Sequence, residues 1–235
     1  MDLLASDFKG AARRMQPTDM IAAARLGGYE VATLQAVMDV EAGGAGFDSA
    51  GRPKILVERH VFYAQLGPGA KRNDAIRQGL AYLVRGTLPY PVTSDGNYAL
   101  LTRMMGIDQT AALKSVSYGI GQVMGFNCTT CGYGSVQDMV AAAMDSEMLQ
   151  FGFLLRFVEK TGLSPALKRH DWAGFARGYN GSGAVNTYAA KLSAAYGKHL
   201  SAAGRPALLV STAGASASDA LNDAEWLRVR AGQGA

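Results

Sequence analysis

A chain of 235 residues has room for one domain with an extra segment, or for two small ones, and 49% hydrophobic against 18% charged residues is the balance of a globular protein, which excludes fibrous and disordered classes. The 23 Lys and Arg exceed the 19 Asp and Glu by four. That excess favours approach to anionic polymers without singling out nucleic acid, and no apolar run nears the roughly 20 residues of a membrane span, so neither nucleic-acid binding nor stable membrane insertion is expected.

Met1 to Gly10 contains Asp2 and Asp7 and has no basic segment followed by an apolar core, so no secretory signal is expected. Residues 1–19 read as an N-terminal extension. Helices are predicted over Asp19 to Leu26 and Tyr29 to Ala42, separated by Gly27-Gly28, and Val31, Leu34 and Met38 fall on one stripe of the second. Ala42-Gly43-Gly44-Ala45-Gly46 is too glycine-rich to continue it, so the helix should stop just after Glu41. Phe47 to Pro53 reads as a turn. Lys54 to Tyr63, β-branched and aromatic, predicts a strand or hairpin with Ile55 and Val57 on one face and Lys54, Leu56, Glu58 and His60 on the other.

Gly67 to Tyr98, with Pro68, Pro89 and Pro91, predicts an irregular surface excursion around one helix from Asn73 to Val84. Helices follow over 98–105, 109–115, 135–146, 147–161, 172–178 and 184–203. Residues 20–204 thus form the main domain. The composition then shifts to Ala, Ser and Gly over 205–235, which predicts a flexible tail with a short amphipathic piece at Leu221 to Arg230. Cys128 and Cys131 form an isolated C-x-x-C without the two further ligands a zinc site wants, so no metal is expected and the pair is given no role.

Glu41 continues the apolar stripe of its helix, three residues after Met38, so its carboxyl should face protein. Desolvation and the negative end of the helix dipole both raise its pKa, which keeps a proton available for a general acid near neutrality. Glu58, on the strand face opposite Ile55 and Val57, is the second candidate, because glycoside hydrolysis uses two carboxylates across one cleft. On spacing alone, structural roles weigh slightly more: Glu41 paired with Arg52 or Arg59, and Glu58 neutralising Arg59 or bonded to His60. Asp48 reads as a turn residue that alternatively orients a water in the cleft.

Three blocks carry a family resemblance. Val40-Glu41-Ala42-Gly43-Gly44-Ala45-Gly46-Phe47 followed by Gly51-Arg52-Pro53-Lys54-Ile55-Leu56-Val57-Glu58-Arg59-His60 is similar to V-E-x-x-G-x-G-F and G-R-P-x-I-L-F-E-R-H. Ala112 to Asn127 is similar to A-L-x-S-x-S-W-G-x-x-Q-I-M-G-x-N, with Tyr118 in place of the Trp, and Asp171 to Gly181 to D-W-x-x-F-A-x-x-Y-N-G. Together, over residues 20 to 197, they resemble the phage endolysin N-acetylmuramidase family.

The resemblance implies a mainly α, α+β fold of lysozyme type: a helical body, a small antiparallel hairpin or sheet, and a cleft between them. It implies Glu41 as the catalytic acid, with Glu58 assisting, in hydrolysis of the β-1,4 bond between N-acetylmuramic acid and N-acetylglucosamine. A lytic transglycosylase using the same Glu41, and a wall-binding module without turnover, are the alternatives. Substrate contacts are expected from Gln122, whose amide both donates and accepts, from Tyr118 stacking on a sugar, from Tyr179 and Asn180 near the acid, and from His60 and Asp48. The implied partner is bacterial peptidoglycan, met by a monomer without cofactors that is made in a host cytoplasm and acts in the periplasm or wall.

Overall fold

The computed structural model describes residues 2–42, 45–181 and 185–203, with the backbone alone for Ala42, Asn180 and Ala203. Two expectations, the glycine stop at Gly43-Gly44 and the tail from Arg205, lie outside the described residues. Among these residues there are eleven helices: α1 (Pro17–Gly27), α2 (Val31–Ala42), α3 (Arg59–Leu66), α4 (Ala70–Arg77), α5 (Ser94–Met105), α6 (Gln109–Lys114), α7 (Val136–Asp145), α8 (Glu147–Lys160), α9 (Ser164–Lys168), α10 (Trp172–Asn180) and α11 (Val185–Ala203). Strands β1 (Ile55–Val57), β2 (Val116–Tyr118) and β3 (Val123–Met124) form one antiparallel sheet in the order β1-β2-β3. This is the mainly helical α+β class that the sequence predicts.

The placement of α8 follows from its composition. Every residue from Glu147 to Leu155 is buried, and a helix that is apolar all round can only sit in the middle of the fold. Phe151, Phe153 and Leu154 are completely enclosed, each contributing about 1.5–3 kcal/mol of burial. Its N-cap, Ser146, accepts a hydrogen bond from the Leu149 amide, so the first turn of α8 is fixed. On α2 the fully buried Leu34 and Val37 face inward, and α11 packs along α2 and α10. These contacts hold the C-terminal end of α2 beside the sheet.

In the sheet, Ile55 pairs with Tyr118 and Val57 with Val116, while Tyr118 also pairs with Val123. The partner of β1 thus comes from sixty residues further along, not from a local hairpin. The run Lys54 to Tyr63 splits: β1 ends at Val57, and the Glu58 carbonyl accepts from the amides of Val61 and Phe62 to open α3. Burial decides against the local strand preference here, since Phe62 is fully enclosed and helical geometry is what turns it inward. The helix predicted over Asn73 to Val84 is also displaced. It runs from Ala70 to Arg77 and ends before Gly79, whose φ of +68° belongs to the left-handed region.

Residues 2–15, read from sequence as an extension, pack on the domain. Leu3 and Phe8 are buried in the core, the Phe8 ring lies 5.1 Å from that of Tyr98, and Arg13 bridges to Ser146. No helix among the described residues is long and apolar enough to cross a membrane.

Candidate active site

A cleft of about 420 Å³ opens between the end of α2, the sheet and the start of α5. Glu41, Asp48 and Gln122 line it, so three of the sequence-predicted residues come together. Lys54, Ile55, Val92, Thr93, Ser94, Asn97 and Gly119 complete the wall.

Glu41 occupies the last turn of α2 and is partly buried. Burial pushes its carboxyl up to about 8, because the ionised form loses hydration and gains nothing in return. Its Oε1 is enclosed and has no hydrogen-bond partner among the described residues. A carboxyl in this state carries a proton at neutral pH. Tyr179 stands close behind it: burial, and then the nearby Glu41 charge, raise the phenol well above its ordinary value. That phenol donates to the Gly121 carbonyl at 2.9 Å, and its ring stacks on Phe175 at 5.3 Å. Tyr179 therefore supports the wall behind the acid and is not among the residues lining the cleft. The side chain of Asn180 lies outside the described residues.

Asp48 has the opposite electrostatics. Burial alone would raise its carboxyl, but hydrogen bonds from Ser94 at 2.5 Å and from Arg52, together with the Arg52 charge, hold it below the usual value. Its oxygens also accept the Ala50 amide, so the acceptor capacity of the carboxylate is used up by the turn. Arg52 is itself buried under three carboxylates, Asp48 at 2.8 Å, Asp95 at 2.5 Å and Asp7 at 3.9 Å, with its guanidinium 4.4 Å from the Tyr98 ring centre. Asp7 also pairs with Lys9 at 2.9 Å, and of these carboxylates only Asp48 lines the cleft. The site thus pairs a protonated carboxyl, Glu41, with an ionised one, Asp48, held in place by Arg52 and Ser94.

The other predicted residues are placed elsewhere. Glu58 does not line the cleft: it is the buried N-cap residue of α3, accepts from Tyr90 Oη at 2.7 Å, and lies 3.5 Å from Arg85. His60 sits in the first turn of α3 with Nδ1 3.1 Å from Glu58 Oε2, off hydrogen-bonding geometry. The strand face on which both were expected stops at Val57. Tyr118 is only 1% exposed and donates to the Leu113 carbonyl at 3.0 Å, so it is core and offers no face to a sugar. Gln122 does face the cleft, from a backbone φ of +46° that is costly without glycine. Its amide accepts from Ser117 Oγ at 2.8 Å and donates to the Gly119 carbonyl at 2.9 Å, which fixes its orientation.

Sequence reasoning missed the residues that build the cleft from behind. Glu147, 6% exposed, accepts the Gly46 amide and Arg14 on Oε1 and the Met15 amide on Oε2, each at 2.8 Å. One turn on, Gln150 accepts the Ile120 amide at 3.1 Å and donates to the Ala143 carbonyl at 2.8 Å. A Cβ on Gly46 or on Gly119 would collide with Gln150, so glycine is required where both loops close on α8. Glu147→Gln removes the charge that holds three donors and is expected to lower unfolding free energy by about 2–4 kcal/mol. Urea denaturation reads this directly, and an unchanged midpoint would show that Glu147 is not what ties the loop down.

Thr93, Ser94 and Asn97 carried a signal: Thr93-Ser94-Asp95 after Pro91 is a helix-start pattern, and the Thr93 hydroxyl indeed accepts the Gly96 amide as the N-cap of α5. Asn97 is buried and accepts the Val57 amide at 3.2 Å, joining α5 to β1. Cys128 and Cys131 are free and buried away from the cleft, and burial pushes the Cys131 thiol up to about 12. A thiol so raised is a poor nucleophile.

Comparison with known proteins bears on this geometry. Residues 30–200 match the model of the Muramidase family, described as N-acetylmuramidase. Among solved structures, the crystal structure of the Burkholderia AP3 phage endolysin is similar at a TM-score of 0.72 and 34% identity, covering 86% of this chain and 76% of that one. Comparison with curated proteins gives no match.

Proposed function

Because the chain belongs to the N-acetylmuramidase family, we propose that it hydrolyses the β-1,4 bond between N-acetylmuramic acid and N-acetylglucosamine in bacterial peptidoglycan, with Glu41 as proton donor. The observation that supports this most is the state of Glu41, a carboxyl raised by burial to about 8 at the wall of an open cleft. A glycosidic oxygen is a poor leaving group until it is protonated, and an acid whose pKa lies near the working pH transfers its proton most effectively.

Bond cleavage leaves positive charge on the anomeric carbon and ring oxygen. The ionised Asp48 carboxylate in the cleft wall, fixed by Arg52 and Ser94, stabilises that charge without reorganising, which is how preorganised groups lower a barrier. Asp48 acts through its field, since its oxygens are already engaged. Lys54, in the same wall, supplies a cation for the carboxylates that the substrate carries, and the second acceptor site of Gln122 Oε1 takes an acetamido N–H or a hydroxyl.

The same saturation of Asp48 supports a second reading, a lytic transglycosylase, which needs one acid only and lets the sugar's own 6-hydroxyl attack. Mass spectrometry of digested peptidoglycan separates the two. Reducing muramic ends are expected; 1,6-anhydro ends would establish the second reading instead. Glu58→Gln, analysed alongside, is expected to leave the products unchanged and kcat within about tenfold, any larger change falling on KM. A loss in kcat of several hundredfold would return Glu58 to the chemistry.

A further inference from the structure

The segment joining α4 to α5 presents Leu83 and Val84 at 71% and 66% exposure, followed by Leu88 and by Val92 at 99%. Of the nine large exposed hydrophobic residues among the described ones, four lie within these ten positions. Singly scattered apolar residues need no explanation, whereas exposed apolar side chains concentrated in one segment call for one.

The segment is also held firmly in place. Tyr90 Oη donates to Glu58 Oε2 at 2.7 Å and accepts from Arg85 Nε at 3.3 Å, and Arg85 reaches Glu58 Oε1 at 3.5 Å. Arg59 donates to the Pro89 carbonyl at 3.2 Å, and Thr87 Oγ1 to the Val84 carbonyl at 2.6 Å. A buried carboxylate thus anchors a loop whose aliphatic side chains point into water. At its far end the loop enters the cleft, because Val92, Thr93 and Ser94 are part of the wall that Glu41 shares. Val92 is thus where the exposed aliphatic segment and the cleft meet.

We infer that the lip over residues 83–92 binds the peptide arm that hangs from the lactyl group of the muramoyl sugar. This rests on the glycan-cleaving function proposed above. The exposed side chains are branched aliphatics, which suit the methyl groups of an alanine-bearing peptide better than the hydroxyl-rich faces of sugars. Arg85, 70% exposed, and Arg59 are two cations against the one carboxylate of Glu58, which leaves a positive charge for the free carboxylates of such an arm. Glu58 is then a positioning residue for the lip.

The test uses the Glu41→Gln chain, with and without Leu83→Ser and Val84→Ser, and measures Kd for soluble peptidoglycan glycan fragments of one length. One set carries the peptide arm, and the other has been stripped of it by an amidase. Glu41→Gln is expected to bind the peptide-bearing set at least fivefold more tightly, and the two lip substitutions to erase that preference while Kd for stripped strands stays within twofold. Equal affinity of the parent for both sets, or an equal loss on both in the lip variant, overturns the proposal. Vesicles of phosphatidylglycerol and phosphatidylcholine form a third arm: binding that the lip substitutions abolish, without any peptide preference in the fragments, would make the lip a lipid-facing surface and overturn it too. If wild type releases no new glycan ends while the peptide preference is present, the proposed hydrolysis fails and the lip does not.

Discussion

Glu41→Gln is expected to lower kcat on peptidoglycan by about three orders of magnitude, with the fold intact. General acid catalysis contributes roughly 10²–10⁴ in rate, and glutamine keeps the shape of the side chain without a transferable proton. The wild-type pH profile follows from the same group. Activity needs Glu41 protonated, so kcat/KM should fall as the pH rises through about 8. The Asp48 charge is lost only when that carboxylate takes up a proton, which happens below the ordinary carboxylate range, so the acid limb lies well into acid. The alkaline limb should be absent from the residual activity of Glu41→Gln. Clearance of a peptidoglycan suspension across pH 3–10 reads both limbs; a variant with undiminished activity, or a wild-type limb near 4 to 5, would remove Glu41 from the chemistry.

The second expected result is that this inactive variant is the more stable protein, and increasingly so as the pH rises. In the unfolded chain the Glu41 carboxyl titrates near 4.5, and in the fold near 8. Between those values the folded state binds more protons than the unfolded one, so stability falls as the pH rises. The loss is complete above about pH 8 and absent below the unfolded value. At about 1.4 kcal/mol per unit of difference it amounts to on the order of 3–5 kcal/mol. Glutamine has no such proton to lose, so Glu41→Gln should match wild type near pH 4 and exceed it at pH 9, by about 10 °C in Tm for a chain of this size. A Tm difference that is constant with pH would mean that the carboxyl is not desolvated. Such a stability cost at a functional group is the usual trade between activity and stability.

How much of this was legible in the sequence depended on whether the information was local. The position of Glu41 was, because an apolar stripe ending in a carboxylate specifies the burial that raises its pKa. Gln122 was partly legible from the glycines around it. Glu58 and His60 were misread because period-two alternation continues on paper past Val57, whereas Phe62 can reach the core only from a helix. Asp48 was recognised as a turn residue, but its place in the cleft depends on Ser94, forty-six residues later, and no local pattern joins the two. The aromatic character of Tyr118 suggests a sugar platform, whereas its side chain packs in the core and its hydroxyl is taken by the Leu113 carbonyl. The buried carboxylate of Glu147 was invisible for the same reason: its three donors come from residues more than a hundred positions away. What the sequence conveyed well was local geometry and class of fold; the partners of buried polar groups came only with the packing.

The account stands or falls on the protonation of one side chain, and that can be watched directly. Chains labelled with ¹³C at the glutamate carboxyl, compared by NMR with Glu41→Gln so that the Glu41 signal is identified by its disappearance, give its titration midpoint. The account predicts a midpoint at about pH 8 in the free protein. A midpoint at the ordinary value of about 4.5, with Glu41 ionised throughout the neutral range, would contradict it.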